Sequence, residues 1–186
     1  MRGRNSHPIR STALHVLFVC TGNICRSPTA ERLAAAYFAR VQEPHIQVSS
    51  AGTRAVVSHA IHPEAARVLV QYGADPSNFA ARQLTSRIAA QADLILTMTR
   101  EHRDAVLTLA PRQLRSTFTV AEASRMVTEF RPEGVSELAS LRPRLSTGSD
   151  LDIRDPIGHS AEVFEEVGST IANHLKPILE LCRRSV

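Results

Sequence analysis

An open parallel sheet covered by helices on both faces is the fold this sequence predicts. Three observations predict it. Short apolar, β-branched runs recur, as in LHVLFV at 14–19 and DLILTM at 93–98. Segments with helical spacing alternate with those runs throughout, which is the pattern of a parallel α/β sheet. The chain has 186 residues and shows no repeat, low-complexity tract or linker, so one domain accounts for it.

The elements follow in order. Residues 14–19 form a candidate buried strand, and a loop with Gly22 and Asn23 as turn residues comes next. Ser27 and Pro28 suit the N-cap and first position of a helix, continued by Leu33, Ala36 and Tyr37. A second strand covers 46–50 and runs into Ala51-Gly52-Thr53. A helix is expected over 63–72 with Gly73 as its stop, and a short one over 85–91. The third strand is 93–98, a helix covers 100–109, and a fourth strand is read at 116–120. Two weakly marked helices are expected over 121–144, split around Pro132, then a polar loop over 146–159. The closing helix, 161–182, carries Val163, Val167, Ile171, Leu175, Ile178 and Leu181 on one stripe, with a kink or break expected at Pro177. Crossovers in such a sheet are right-handed, and ligands bind beyond the carboxyl ends of its strands.

Composition excludes several classes. The formal net charge is +4, with arginine far in excess of lysine, and no basic surface interleaved with aromatics points to nucleic acid. Residues 1–13 read as a flexible tail without a leader-type apolar region, and no segment is long enough to span a membrane. Three cysteines do not make a disulfide framework, so a reducing cytoplasm is the expected compartment. Nothing in the sequence speaks to oligomeric state.

The stretch VLFVCTGNICRSPTAER at 16–32 concentrates the chemistry. A loop between strand and helix aims backbone N–H groups inward and feeds a helix N-terminus, so it makes an anion cradle. The cradle would be lined by Thr21, Gly22, Asn23, Ile24, Cys25 and Ser27. Arg26 adds a planar fork for two phosphate oxygens. Cys20, at the start of this cradle, is positioned as a nucleophile, because helix N-termini and arginine favour a thiolate. Ser27 is suited to hydrogen-bond that thiolate, and Asn23 to hold the loop in a left-handed turn. A cysteine behind an apolar strand is ordinarily only a small buried residue. Its place at a strand-to-helix turn lifts Cys20 above that reading. Zinc is not expected: Cys20 and Cys25 have a usable spacing, but Cys182 is the one other thiol, and His59 and His62 have no acidic or thiol companion.

The segment CTGNICRSPTAE at 20–31 resembles the signature of the low-molecular-weight protein tyrosine phosphatase family. SSAGT at 49–53, ADLILTMTREH at 92–102 and Asp155-Pro156 before the last helix match the family in the same order. The resemblance runs from residue 14 to the end. It implies a three-layer sandwich with a four-stranded parallel sheet, and a phosphomonoesterase that needs no metal or other cofactor and works through a phosphocysteine. By position it makes Cys20 the nucleophile, Arg26 the phosphoryl ligand and Asp155 the general acid. Asp150 and Asp152 lie close to Asp155 and compete for that role. The resemblance also offers Cys25 as a redox cover for Cys20; the other reading is a small packing residue. Substrates implied are phosphotyrosyl proteins or small aryl phosphates.

Two departures stand out. Family members place aromatics after Asp-Pro, where Ile157, Gly158 and His159 stand here, and in the loop after SAGT, which here reads RAVVSHAIH. His59 and His159 are candidates for the cleft mouth or idle surface residues. The region 111–149 is longer than the family minimum and reads as an extra helical segment, either beside the site or as surface decoration. Rival readings are a non-catalytic phosphate-binding module and an arsenate reductase, which needs a resolving thiol or an external one; the usual cysteines are absent from 82–100, Cys25 or a small thiol cofactor would have to substitute, and the loop filling is phosphatase-like.

Overall fold

The structure, a computed structural model, describes residues 13–146 and 152–186. Except for Ala13, the expected tail lies outside the described residues, as does Asp150. The strands are β1 (Leu14–Cys20), β2 (Ile46–Gly52), β3 (Leu94–Thr97) and β4 (Thr117–Thr119). They form one parallel sheet in the order β2-β1-β3-β4. The helices are α1 (Arg26–Arg40), α2 (Pro63–Gln71), α3 (Ser86–Ala90), α4 (Arg100–Leu109), α5 (Val120–Phe130), α6 (Leu138–Leu141) and α7 (Ala161–Arg184).

The period of two along β1 builds the layers. Val16, Phe18 and Cys20 join one core with Ala30 and Ala34 of α1, Met126 of α5 and Ile171 of α7. Leu17 and Val19 face the other way, against Ala89 of α3 and Val106 of α4. Central β1 is covered on both faces, which is why it reads as an apolar run from Val16 to Cys20, with only His15 polar near its start. Phe18 is fully buried, a contribution of about 1.5–3 kcal/mol. The alternation also decides where Cys20 goes: it ends β1 on the α1 face, level with Gly52 of β2.

Two expectations change. Ser27 and Pro28 do not cap and open α1; the helix begins at Arg26 with Cys25 as N-cap and no side-chain capping bond. The Ser27 hydroxyl is instead turned inward to Cys20. Pro28 still costs nothing, because the first-turn N–H it lacks has no intrahelical acceptor. Nor does Pro177 break the closing helix. Helix α7 continues to Arg184, with Leu175, Ile178, Leu179 and Leu181 buried on either side of the proline. Packing of that stripe outweighs one lost backbone bond.

The segment after α5 is mostly short turns rather than a second long helix. Leu138 and Leu141 join the main core. Val135, Ser136 and Ala139 line a cavity with Leu14 and Leu94, which begin β1 and β3. This part of the segment therefore sits at the amino ends of the strands, away from the loop that follows Cys20.

Candidate active site

The loop at 20–26 closes over the carboxyl end of β1, and its shape depends on Asn23. That residue adopts a left-handed conformation, φ 54°, and is fully buried. Its side chain makes three hydrogen bonds that offset the strain. Nδ2 donates to Ser27 Oγ (2.9 Å) and Ser50 Oγ (2.8 Å), and Oδ1 accepts from the Arg82 amide (2.9 Å). The Ser50 hydroxyl in turn donates to Glu31 Oε2 (2.5 Å). The Ser27 hydroxyl lies 3.0 Å from Cys20 Sγ. A continuous polar chain therefore runs from Glu31 on α1, through β2 and the loop, to the sulfur. The Arg26 and Ser27 amides, in the first turn of α1, have no intrahelical acceptor and are available to an anion.

The loop after β2 backs the first loop. Thr53, Arg54 and Val56 donate their amides to the carbonyls of Cys20, Thr21 and Gly22, at 2.9, 3.0 and 2.9 Å. Gly52 is required for this approach: a Cβ there would stand 2.5 Å from the Thr21 carbonyl oxygen. Gln83 clamps the second loop from behind, accepting from the Ala55 amide and donating to the Thr53 carbonyl.

Arg26 is the buried cation of the site, 4% exposed. Nη1 donates to the Ile153 carbonyl (3.1 Å) and Nη2 to Asp155 Oδ2 (2.5 Å). The Ile153 amide in turn bonds the Met98 carbonyl just past β3, which ties the Asp155 segment to the sheet. Asp155 is half exposed, and its Oδ1 accepts from the Ile157 amide. Its competitor Asp152 is engaged elsewhere, accepting from the Arg100 amide at the start of α4 (2.7 Å) and pairing with that guanidinium. Cys20, Arg26 and Asp155 thus share one cleft of about 240 Å³, walled by Ile24, Val56 and Ile157 and edged by Arg54. No aromatic side chain lines it among the described residues.

All three cysteines are free and buried. Burial, and then the Cys20 sulfur beside it, pushes the Cys25 thiol up and keeps it protonated. Cys182 is raised to about 12 by burial in α7. Among the described residues no cluster of three or more His, Cys, Asp or Glu is arranged to hold a metal ion. His62 caps α2 and stacks on Phe164, and His59 lies exposed beside its own loop. His159 is exposed, near Arg154.

One functional neighbour escaped the sequence reading. His102 of α4 is buried between two hydroxyls, Nε2 2.8 Å from Thr21 Oγ1 and Nδ1 2.9 Å from Thr99 Oγ1. Burial and then the Arg26 charge lower it to about 4, so it stays neutral. Arg82, Gln83 and Glu31 were also missed. Each acts through a contact distant in sequence, so no local spacing could reveal it.

A parallel sheet ending in a cysteine-headed anion loop, with arginine in that loop and an aspartate swung over it, defines the class of cysteine-loop phosphatase folds. Within that class, the chain belongs to the low molecular weight phosphotyrosine protein phosphatase family, whose sequence profile matches residues 15–186. The low molecular weight protein-tyrosine-phosphatase Wzb of Salmonella typhi is 42% identical over 101 residues. That match spans 54% of this chain and 64% of the relative. The solved low molecular weight protein tyrosine phosphatase of T. tengcongensis superposes with a TM-score of 0.73 at 28% identity, covering 90% of this chain and 98% of that one. The YwlE arginine phosphatase of Geobacillus stearothermophilus gives 0.70 at 28% identity, covering 90% and 91%. Among the described residues no helix is long and apolar enough to cross a membrane.

Proposed function

We propose that this protein hydrolyses phosphomonoesters, with phosphotyrosyl proteins as its substrate class, through a phosphocysteine on Cys20. The observation that carries the reading is the shared cleft: a sulfur bonded to Ser27, a buried guanidinium and a half-exposed carboxylate around one anion-sized space. The Cys20 thiolate attacks phosphorus, forming the S–P bond as the P–O bond to the leaving group breaks. Arg26 and the loop amides hold the equatorial oxygens, where no metal is needed to balance their charge. Asp155 gives its proton to the departing oxygen. Water then attacks the phosphocysteine and passes a proton to Asp155, which returns the thiolate and releases phosphate.

In the structure Asp155 pairs with Arg26. A phosphoryl group takes its place on the guanidinium and leaves the carboxyl free to protonate the leaving group. Wzb favours the tyrosine reading by name, while the arginine phosphatase of the same fold shows that fold alone does not choose the phosphorylated residue. An arsenate-reducing cycle needs a resolving thiol or an external one able to reach Cys20 after each turnover; Cys182 is enclosed in α7, and Cys25, beside Cys20, is held protonated by burial, which disfavours that cycle. The free thiols suit a reducing compartment, and we assign the protein to the cytoplasm on that ground.

The test is hydrolysis of p-nitrophenyl phosphate in EDTA across about pH 5 to about 8. Wild type turns over, and Cys20→Ser falls to background. Asp155→Asn slows by about 10²–10⁴-fold on phenyl phosphate and less on the nitrophenyl ester, whose leaving group needs less protonation. Turnover surviving in Cys20→Ser, or requiring an added metal, overturns the proposal.

A further inference from the structure

The cleft is graded by depth. Its floor is Cys20, 2% exposed, and Arg26, 4% exposed. Above them stand Val56, 38% exposed, and Ile157, 43% exposed, which give an aromatic ring two aliphatic walls in place of aromatic ones. Arg54 lines the same cleft and is also exposed, so it belongs to the rim.

Arg54 is not a loosely placed surface charge. Its amide is bonded to the Thr21 carbonyl, and the amides of Thr53 and Val56 on either side are bonded to the same loop. Gln83 fixes the backbone from the opposite side. The Cα of Arg54 is therefore held in register with the nucleophile loop, and only the side chain is free to adjust. Among the described residues its guanidinium forms no ion pair, whereas Arg26, Arg100, Arg103 and Arg142 each have a carboxylate. Asp155, the acid of this cleft, is committed to Arg26.

We propose that Arg54 is a specificity residue that selects phosphotyrosyl segments carrying a carboxylate beside the phosphotyrosine. This rests on the phosphatase reading above. The phosphoryl oxygens already have Arg26 and the loop amides at the floor. A second cation at the rim meets the part of the substrate that has not entered the cleft, which is the flanking peptide. A planar fork held near the exit pairs with an Asp or Glu side chain there and repels a lysine. The aliphatic walls grip a ring without the stacking that aromatic walls would add, so rim charge has a larger share in choosing among phosphotyrosyl sites.

The experiment compares three phosphotyrosyl peptides of one sequence, with Asp, Asn or Lys on both sides of the phosphotyrosine. It uses wild type, Arg54→Gln and Arg54→Glu, with p-nitrophenyl phosphate as the reference substrate. Wild type should favour the Asp over the Asn peptide in kcat/KM by about 2- to 5-fold, the range of an exposed charge pair. The Lys peptide should come last, and salt should shrink the spread. The Asp/Asn ratio falls to near one in Arg54→Gln and inverts in Arg54→Glu. Equal rates in wild type, or a preference that survives in Arg54→Glu, overturn the inference while nitrophenyl phosphate turnover keeps the phosphatase reading intact. If wild type hydrolyses none of the peptides and no nitrophenyl phosphate, both fall together.

Discussion

His102 shows how one residue can serve the loop without touching substrate. Its ring is held between Thr21 and Thr99, and the first of these follows Cys20 directly. The folded protein keeps it neutral down to about 4, whereas a histidine in the unfolded chain protonates near 6.5. The unfolded state therefore binds more protons between those values, and stability rises with pH there. The stabilisation is complete above about 6.5 and is lost as pH falls towards 4, a difference of about 3 kcal/mol. Urea unfolding of wild type and His102→Gln through that window checks this. The variant's stability should depend less steeply on pH, and parallel curves for the two proteins would exclude His102 as the source. Cys25 makes the opposite point. Buried and protonated, it needs no role in the phosphoryl step, and the same small side chain belongs to the core cluster that holds Ile61, Ala65 and Phe164.

At the scale of elements, the helices show where local signals compete with packing. Ser27-Pro28 is a sound helix opening by propensity, yet α1 starts two residues earlier, and the Ser27 hydroxyl is drawn to Cys20 and Asn23 instead. The site thus claims a side chain that capping would otherwise use. Pro177 is the reverse case, an unfavourable residue carried through α7 by its neighbours. Since proline in a helix interior costs about 3 kcal/mol, Pro177→Ala should stabilise the protein by about 1–3 kcal/mol with the cleft unaltered. A denaturation midpoint equal to or below wild type would show that the local backbone has adapted to the proline. The strands were the most legible elements. β1 and β3 are mostly apolar on both faces, and the sequence pattern places each within a residue of its bounds. α6 and its flanking turns were the least legible, being too short for a helical period to register.

At the scale of the molecule, the segment after α5 is tied down by one arginine. Arg142 donates to Glu122 (2.7 Å) and to the carbonyls of Leu114 and Thr117, and lies 4.3 Å over the Phe118 ring. Glu122 is 4% exposed and closes the capping box of α5 with Thr119. Removing the arginine leaves a buried carboxylate with the Thr119 amide and, as its one remaining cation among the described residues, Arg103 at 3.9 Å. Arg142→Ala should therefore cost about 3 kcal/mol, and Glu122→Gln added to it should recover part of that loss. Chemical denaturation of the single and double variants measures both. A single-variant loss below about 0.5 kcal/mol would mean that the pair is no more than a surface contact.

The sequence by itself determined the order of strands and helices, the loop that begins at Cys20, and the pairing of Arg26 with that loop. These are local features: an apolar run, a turn and a short spacing are all set by neighbours in the chain. The Asp-Pro match singled out Asp155 by resemblance, but only the tertiary structure brings that carboxylate, and not Asp152 three positions before it, onto Arg26. It decided too that Glu31, Ser50, Arg82 and His102 support the loop, from four elements or loops far apart in sequence. It put Arg54 on the rim of the cleft, through backbone bonds between two loops that no side-chain pattern encodes. Chemistry carried by consecutive residues can be read along the chain. Chemistry that depends on a buried guanidinium finding its carboxylate requires the folded sheet, because only packing brings those groups within hydrogen-bonding distance.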